Sequence, residues 1–234
     1  MLEYWIDIAR GPVFRAAVAF AVLGLVRHVM VTVWELRRMA RRAGDKQIPY
    51  GQVLRATVKW LVPLDHVRQR FWYSVSTLTF HAAIIVVPLF LAGHIALIEA
   101  GTGLTWPALT SGAADVLTIV AFATALVLVA QRLAARDTRA LSRFQDYALP
   151  LVIAVPFATG FLVTHAAWNP FPYQTTLLIH VVSADVLLVL IPITKLSHIV
   201  LLPTTQLVSE LAWHFPPSAG RAVGAQLGRE ELPV

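Results

Sequence analysis

HVVSADVLLVLIPITKLSH, residues 180 to 198, is built largely of Val, Leu, Ile and Ala, yet it opens and closes on histidine and holds Asp185 and Lys195 between them. Ionisable groups are costly inside a bilayer, and those that persist there mark functional sites. The stretch therefore reads as a membrane helix that holds something on its histidines.

The rest of the 234-residue chain agrees. It is 57% hydrophobic and only 14% charged, where an average soluble domain is about 25% charged. The chain has no cysteine, which excludes disulfides, thiolate metal sites, cysteine-held iron–sulfur clusters and covalently attached haem. Eight histidines remain as metal ligands. A sequence pI near 10.2 would suit a nucleic-acid binder, but the positive charge lies in loops between apolar runs. It is a topology signal, and no nucleic-acid partner is expected.

About 20 apolar residues span a bilayer as a helix. Five runs qualify, near 12–36, 71–98, 112–132, 147–165 and 175–202. The first reads as a permanent anchor, because no small-residue cleavage site follows its long apolar run. Loop charge sets the direction. Arg37, Arg38, Arg41, Arg42, Lys46, Arg55, Lys59, Arg68 and Arg70 crowd one loop, and Arg132, Arg136, Arg139 and Arg143 another, while 99–111 and 166–174 have no Lys or Arg. The positive-inside rule puts the basic loops in the cytoplasm, the N-terminus outside and the C-terminus inside. The expected fold is thus an all-α integral membrane bundle of five transmembrane helices over residues 1–205, followed by a cytoplasmic tail, 206–234. Within the first basic loop, QVLRATVKWLVPLDHVRQR (52–70) fits an amphipathic interfacial helix and a solvated basic loop equally.

Alternating spans place His81 and His198 near the cytoplasmic side, and His94 and His180 near the outer side. Two histidine pairs at two depths are what two bis-imidazole haems require. On a continuous helix His180 and His198 share one face, roughly 27 Å apart, whereas His81 and His94 stand some 140° out of phase. Pro88 lies between the latter two and is expected to re-phase that helix. The competing reading is a set of structural histidines bridging helices. Zinc fits less well, with no second ligand at helical spacing to close a compact site.

The run from His180 to His198 resembles the fifth helix of respiratory nitrate reductase gamma subunits, a di-haem cytochrome b family whose fifth helix carries one ligand for each haem at this same spacing. GHIALIEAGTGLTWPAL (93–109), ADVLTIVAF (114–122), DYALPLVI (146–153) and NPFPYQTTLLIH (169–180) resemble a broader branch, which sits beside cytoplasmic iron–sulfur proteins of the heterodisulfide reductase type. The resemblance covers about residues 10–205. It implies two b-type haems, the outer one on His180 and His94 and the inner one on His198 and His81. The second-helix ligands of the nitrate reductase subunits stand closer together than the pair here, so His165 is an alternative to His94, and His28 to His81. Lys195 and Arg27, in the inner leaflet, suit the propionates of the inner haem, although snorkelling to the headgroups explains them equally.

The function this implies is a quinone-reactive membrane-anchor cytochrome of a respiratory complex in a prokaryotic cytoplasmic membrane. It would carry electrons between the quinone pool and a cytoplasmic iron–sulfur subunit of heterodisulfide reductase or nitrate reductase beta type. Quinol oxidation releases protons, for which Glu99 and Asp115 are the outer-side acceptors and Asp185 a buried alternative. His66 and His214 read as ordinary solvent-exposed histidines. Trp213, Phe215, Pro216 and Pro217 form an apolar cluster suited either to docking the partner or to the headgroup belt. The alternative function is a haem-free anchor or small transporter whose histidines serve protons or helix contacts.

Overall fold

The computed structural model describes residues 1–42, 50–61, 67, 70–212, 219–226 and 228–229, and among these it contains helices and turns but no strand. Helix α1 (Leu2–Ile8) runs through a π turn (Ala9–Val13) into α2 (Phe14–Arg42). There follow α3 (Tyr50–Leu61), α4 (Phe71–Phe90), α5 (Ala92–Thr102), α6 (Ser111–Ala134), α7 (Arg136–Leu141) and α8 (Phe144–Thr164). Next come α9 (Tyr173–Ile193), α10 (His198–Ala212) and α11 (Ala219–Gln226). Five stretches are long and apolar enough to cross a membrane: Leu2–Arg41, Phe71–Phe90, Ser111–Ala134, Phe144–Thr164 and Tyr173–Ile193. The chain is an all-α, multi-pass membrane protein with five spanning helices, as its apolar runs require.

The packing follows the rules of lipid rather than water. Small side chains face neighbours and large ones face outward: Ala83, Ala121 and Ala125 are at most 1% exposed, while Leu78, Val116 and Ile119 are more than half exposed. Close backbone approach replaces the hydrophobic drive that lipid abolishes. Hydroxyls on these helices turn back to their own backbone, as Thr118 does to Ala114 O and Thr124 to Val120 O, because no water is at hand to satisfy them.

The chain divides into two compact units, Met1–Ala19 with Asp65–Leu190, and Phe20–Leu64 with Ile191–Val234. In the first, α6 packs against both α4 and α8. Gln131 Nε2 donates to Ser76 Oγ (3.1 Å) and Arg132 to Tyr73 Oη (3.4 Å) at one end of α6. Asp115 meets His165 at the other end. The helices are therefore antiparallel neighbours, as short connections demand.

Two expected spans are broken. The run 71–98 is not one helix: Leu91 is extended (φ −75°, ψ 128°) and α5 restarts after it. Pro88 sits in the last turn of α4, three residues before the break. The run 175–202 also breaks. Helix α9 ends at Ile193, Thr194 is extended (φ −125°, ψ −174°), Lys195–Ser197 form a 3-10 turn, and His198 opens α10. Pro192 weakens the last turn, and the Thr194 hydroxyl accepts from the Leu196 amide, offering the backbone a non-helical alternative. The single-helix phase relation between His180 and His198 therefore does not hold.

Helix α10 runs through Pro203 to Ala212, and Ala219–Gln226 is helical. Trp213, His214, Phe215, Pro216, Pro217 and His66 lie outside the described residues. Residues 50–61 of the basic loop form a helix, as the amphipathic reading expects. In the second unit, α3 packs on α10, burying Val53 and Thr57 on α3 and Leu211 on α10.

The same unit contains a tight crossing: a Cβ added to Gly24 would lie 2.4 Å from Pro192 Cβ. Gly24→Ala should therefore destabilise the protein by about 1–3 kcal/mol, read as a lowered melting temperature in detergent. The exposed neighbour Leu23→Ala, on a lipid-facing position, should change it little.

Candidate functional site

His94 and His180 come together in the first unit. Their ring centroids lie 6.0 Å apart with planes 10° from parallel. Each ring is held by the same device. His94 Nδ1 lies 3.1 Å from Pro88 O, and His180 Nδ1 lies 2.9 Å from Pro156 O. A carbonyl can only accept, so each Nδ1 carries the proton and each Nε2 presents a lone pair, the form that binds a metal. Among the described residues neither Nε2 has a hydrogen-bond partner. The His180 ring fits because residue 160 is glycine: a Cβ there would stand 2.9 Å from His180 Cε1.

Proline and the break after it aim His94. Ending α4 at Phe90 frees the carbonyls of Pro88, Leu89 and Phe90 from their helical donors, and inside a bilayer each must find another. Pro88 O takes the His94 imidazole, Leu89 O the Trp106 indole N–H (2.8 Å), and Phe90 O the Leu109 amide (2.8 Å). Trp106 and Leu109 return to the break because α5 ends at Gly103 in the left-handed conformation (φ 75°), which reverses the chain. Sequence reasoning missed Trp106 and Leu109. The available signal was Trp106 itself, whose N–H seeks an acceptor when held against a membrane helix.

The remaining candidates divide. His165 caps α8 with Nδ1 2.9 Å from Phe161 O, and its Nε2 lies 3.4 Å from Asp115 Oδ2. Both its nitrogens are engaged, and it is His94, not His165, that faces His180. His28 turns Nε2 to Pro192 O at 2.8 Å, so the nitrogen that would serve iron is committed to the break after α9. Glu99 is exposed on α5, five residues beyond His94. Asp185 is buried on α9.

His81, on α4 in the first unit, ties Nδ1 to Thr77 O (2.7 Å). His198, in the second unit, ties Nδ1 to Lys195 O (2.8 Å). Lys195 and Arg27 are exposed and belong to the second unit. All four histidines read as ligands thus use Nδ1 for a backbone carbonyl.

Among the described residues no group of three or more His, Asp or Glu converges as a compact metal site requires. A paired-imidazole arrangement needs only two. The His94 and His180 rings are stacked, with their centroids 6.0 Å apart.

Trp106→Phe keeps the ring and removes the N–H, leaving Leu89 O unpaired. A loss of about 1–3 kcal/mol follows. Hydrogen exchange should show α5 loosened, with α6 and α8 unaffected. Protection of α5 equal to wild type would show that the indole does not hold the break.

No family model matches the chain, and no solved structure matches it. A curated relative from Nitratidesulfovibrio vulgaris (strain Hildenborough) is 35% identical over 199 residues, which cover 82% of this chain and 85% of the relative. At that identity and coverage the correspondence takes in most of both chains, and the protein described here belongs to the same family as that Nitratidesulfovibrio protein.

Proposed function

We propose that the chain is the membrane-anchor cytochrome b subunit of a respiratory complex, transferring electrons between the quinone pool and a cytoplasmic iron–sulfur partner of the heterodisulfide reductase or nitrate reductase beta type. The observation that carries this reading is the His94–His180 pair, 6.0 Å apart and 10° from parallel, with both rings tautomerically fixed for metal binding. These two residues would hold the outer b-type haem. The resemblance assigns the inner one to His81 and His198, which carry the same Nδ1 bond to a backbone carbonyl. A haem bound at each site supplies a one-electron redox centre.

The chain's own residues supply the setting. Pro88 and Pro156 carbonyls orient the outer ligands and raise their basicity. The apolar helices around them exclude water. By the positive-inside rule the N-terminus would lie outside and the C-terminus in the cytoplasm of a prokaryotic membrane, with Lys195 and Arg27 on the side of the partner, where they would suit the inner haem's propionates. Quinol at the outer side gives up its protons to Glu99, exposed on α5, or to Asp115, whose carboxylate is shared with His165.

A haem-free anchor or small transporter is the alternative, and the buried Asp185 would suit a proton-moving bundle equally. Pyridine haemochrome analysis separates the two. The cytochrome reading requires two non-covalent haems per polypeptide, and a colourless purified protein overturns it. The near-parallel rings further predict a rhombic low-spin ferric EPR signal from the outer haem. A strongly axial signal would show the ligand planes crossed.

A further inference from the structure

A carboxyl inside an apolar helix needs a cation, an N–H or an O–H against it, and Asp185 has none among the described residues. Its side chain is 4% exposed, and neither Oδ1 nor Oδ2 has a hydrogen-bond partner. The helices of the first unit bring other titratable groups. Tyr73 and His81 lie on α4, His94 and Glu99 on α5, Asp115 and Arg132 on α6, Asp146 and Tyr147 on α8, and Tyr173 and His180 on α9 itself. None of them pairs with Asp185. A carboxylate buried this way with no counter-charge is among the least favourable arrangements in a membrane, so an aspartate kept only for packing would carry a donor. Asp185 stands five residues beyond His180, about 7.5 Å along the helix axis and about 140° round it, so the carboxyl faces away from the ring pair but still senses a change of charge there through a medium of low dielectric.

We propose that Asp185 is a proton-exchange site coupled to the His94–His180 centre, binding one proton when that centre gains one electron and releasing it when the electron leaves. The proposal rests on the haem reading given above. The carboxylate offsets positive charge at the oxidised centre. The electron arrives from quinol or from the iron–sulfur partner and lowers the local charge by one, and protonation of a carboxyl oxygen restores the balance. The proton comes from water and returns to it on re-oxidation, and no bond other than the carboxyl O–H forms or breaks. Because the described residues offer Asp185 no counter-ion, the redox centre serves as its partner in charge.

The test uses the full-length protein with its native haems in lipid nanodiscs, reduced electrochemically through mediators. Infrared difference spectra should show a protonated-carboxyl C=O band that appears on reduction, shifts in D2O and is missing in Asp185→Asn. The midpoint potential of the outer centre should fall with pH at up to about 59 mV per unit in the wild type and be flat in Asp185→Asn. Asp185→Glu, which keeps the carboxyl, should restore both readouts. A wild-type difference spectrum with no D2O-sensitive carboxyl band overturns the proposal even if the Asn variant fails to assemble. An Asn variant with the wild-type slope overturns it as well. In both cases the haem spectrum is intact and the cytochrome reading stands, whereas a protein with no haem overturns that reading and this coupling together.

Discussion

A carbonyl freed from its helix inside a bilayer has no water to bond, so every helix that ends or breaks there leaves acceptors that another part of the chain must satisfy. Three proline carbonyls in this protein have the same kind of partner. Pro88 O, Pro156 O and Pro192 O each accept from a histidine ring, of His94, His180 and His28 respectively. Three of the eight histidines in this oily sequence thus serve a proline carbonyl. The carbonyl in turn fixes which nitrogen is protonated, and so decides which histidines can ligate a metal and which cannot.

That constraint separates roles the residue type alone leaves equal. His94 and His180 give Nδ1 to the backbone and keep Nε2 unpaired among the described residues. His28 gives Nε2 instead, and its neighbourhood is a packing contact of Gly24 on Pro192. His165 engages both nitrogens, one with Phe161 O and one with Asp115. The bland reading of a membrane histidine, a donor bridging helices, is correct for His28. In the His94–His180 pair the rings, 6.0 Å apart with the same tautomer, do not bond each other.

Much of the fold was legible in the sequence because the bilayer imposes a length: runs of apolar residues near 71, 112, 147 and 175 each became a helix. The pairing of His94 with His180 was legible from depth. The helical phase was not. Pro88 and Pro192 were visible, but the partners at each break were not: Trp106 and Leu109 donate at one, and at the other His28 donates while the Thr194 hydroxyl accepts from the Leu196 amide. The helix that runs through Pro203 to Ala212 was not legible, since a proline reads from sequence as a helix end. The glycine at 160 could not be read at all: its meaning is the ring of His180 lying where a methyl would stand.

The most direct measurement of the central claim is reduced-minus-oxidised absorption of single histidine variants, with haem content normalised to protein. If His94 and His180 are the two axial ligands of one haem, His94→Ala and His180→Ala each lose the same haem, and the double variant loses no more than either. His165→Ala keeps the full complement. Retention of both haems in His94→Ala, together with loss of one in His165→Ala, would contradict the account by showing that the pair 6.0 Å apart is a helix contact rather than a ligand set.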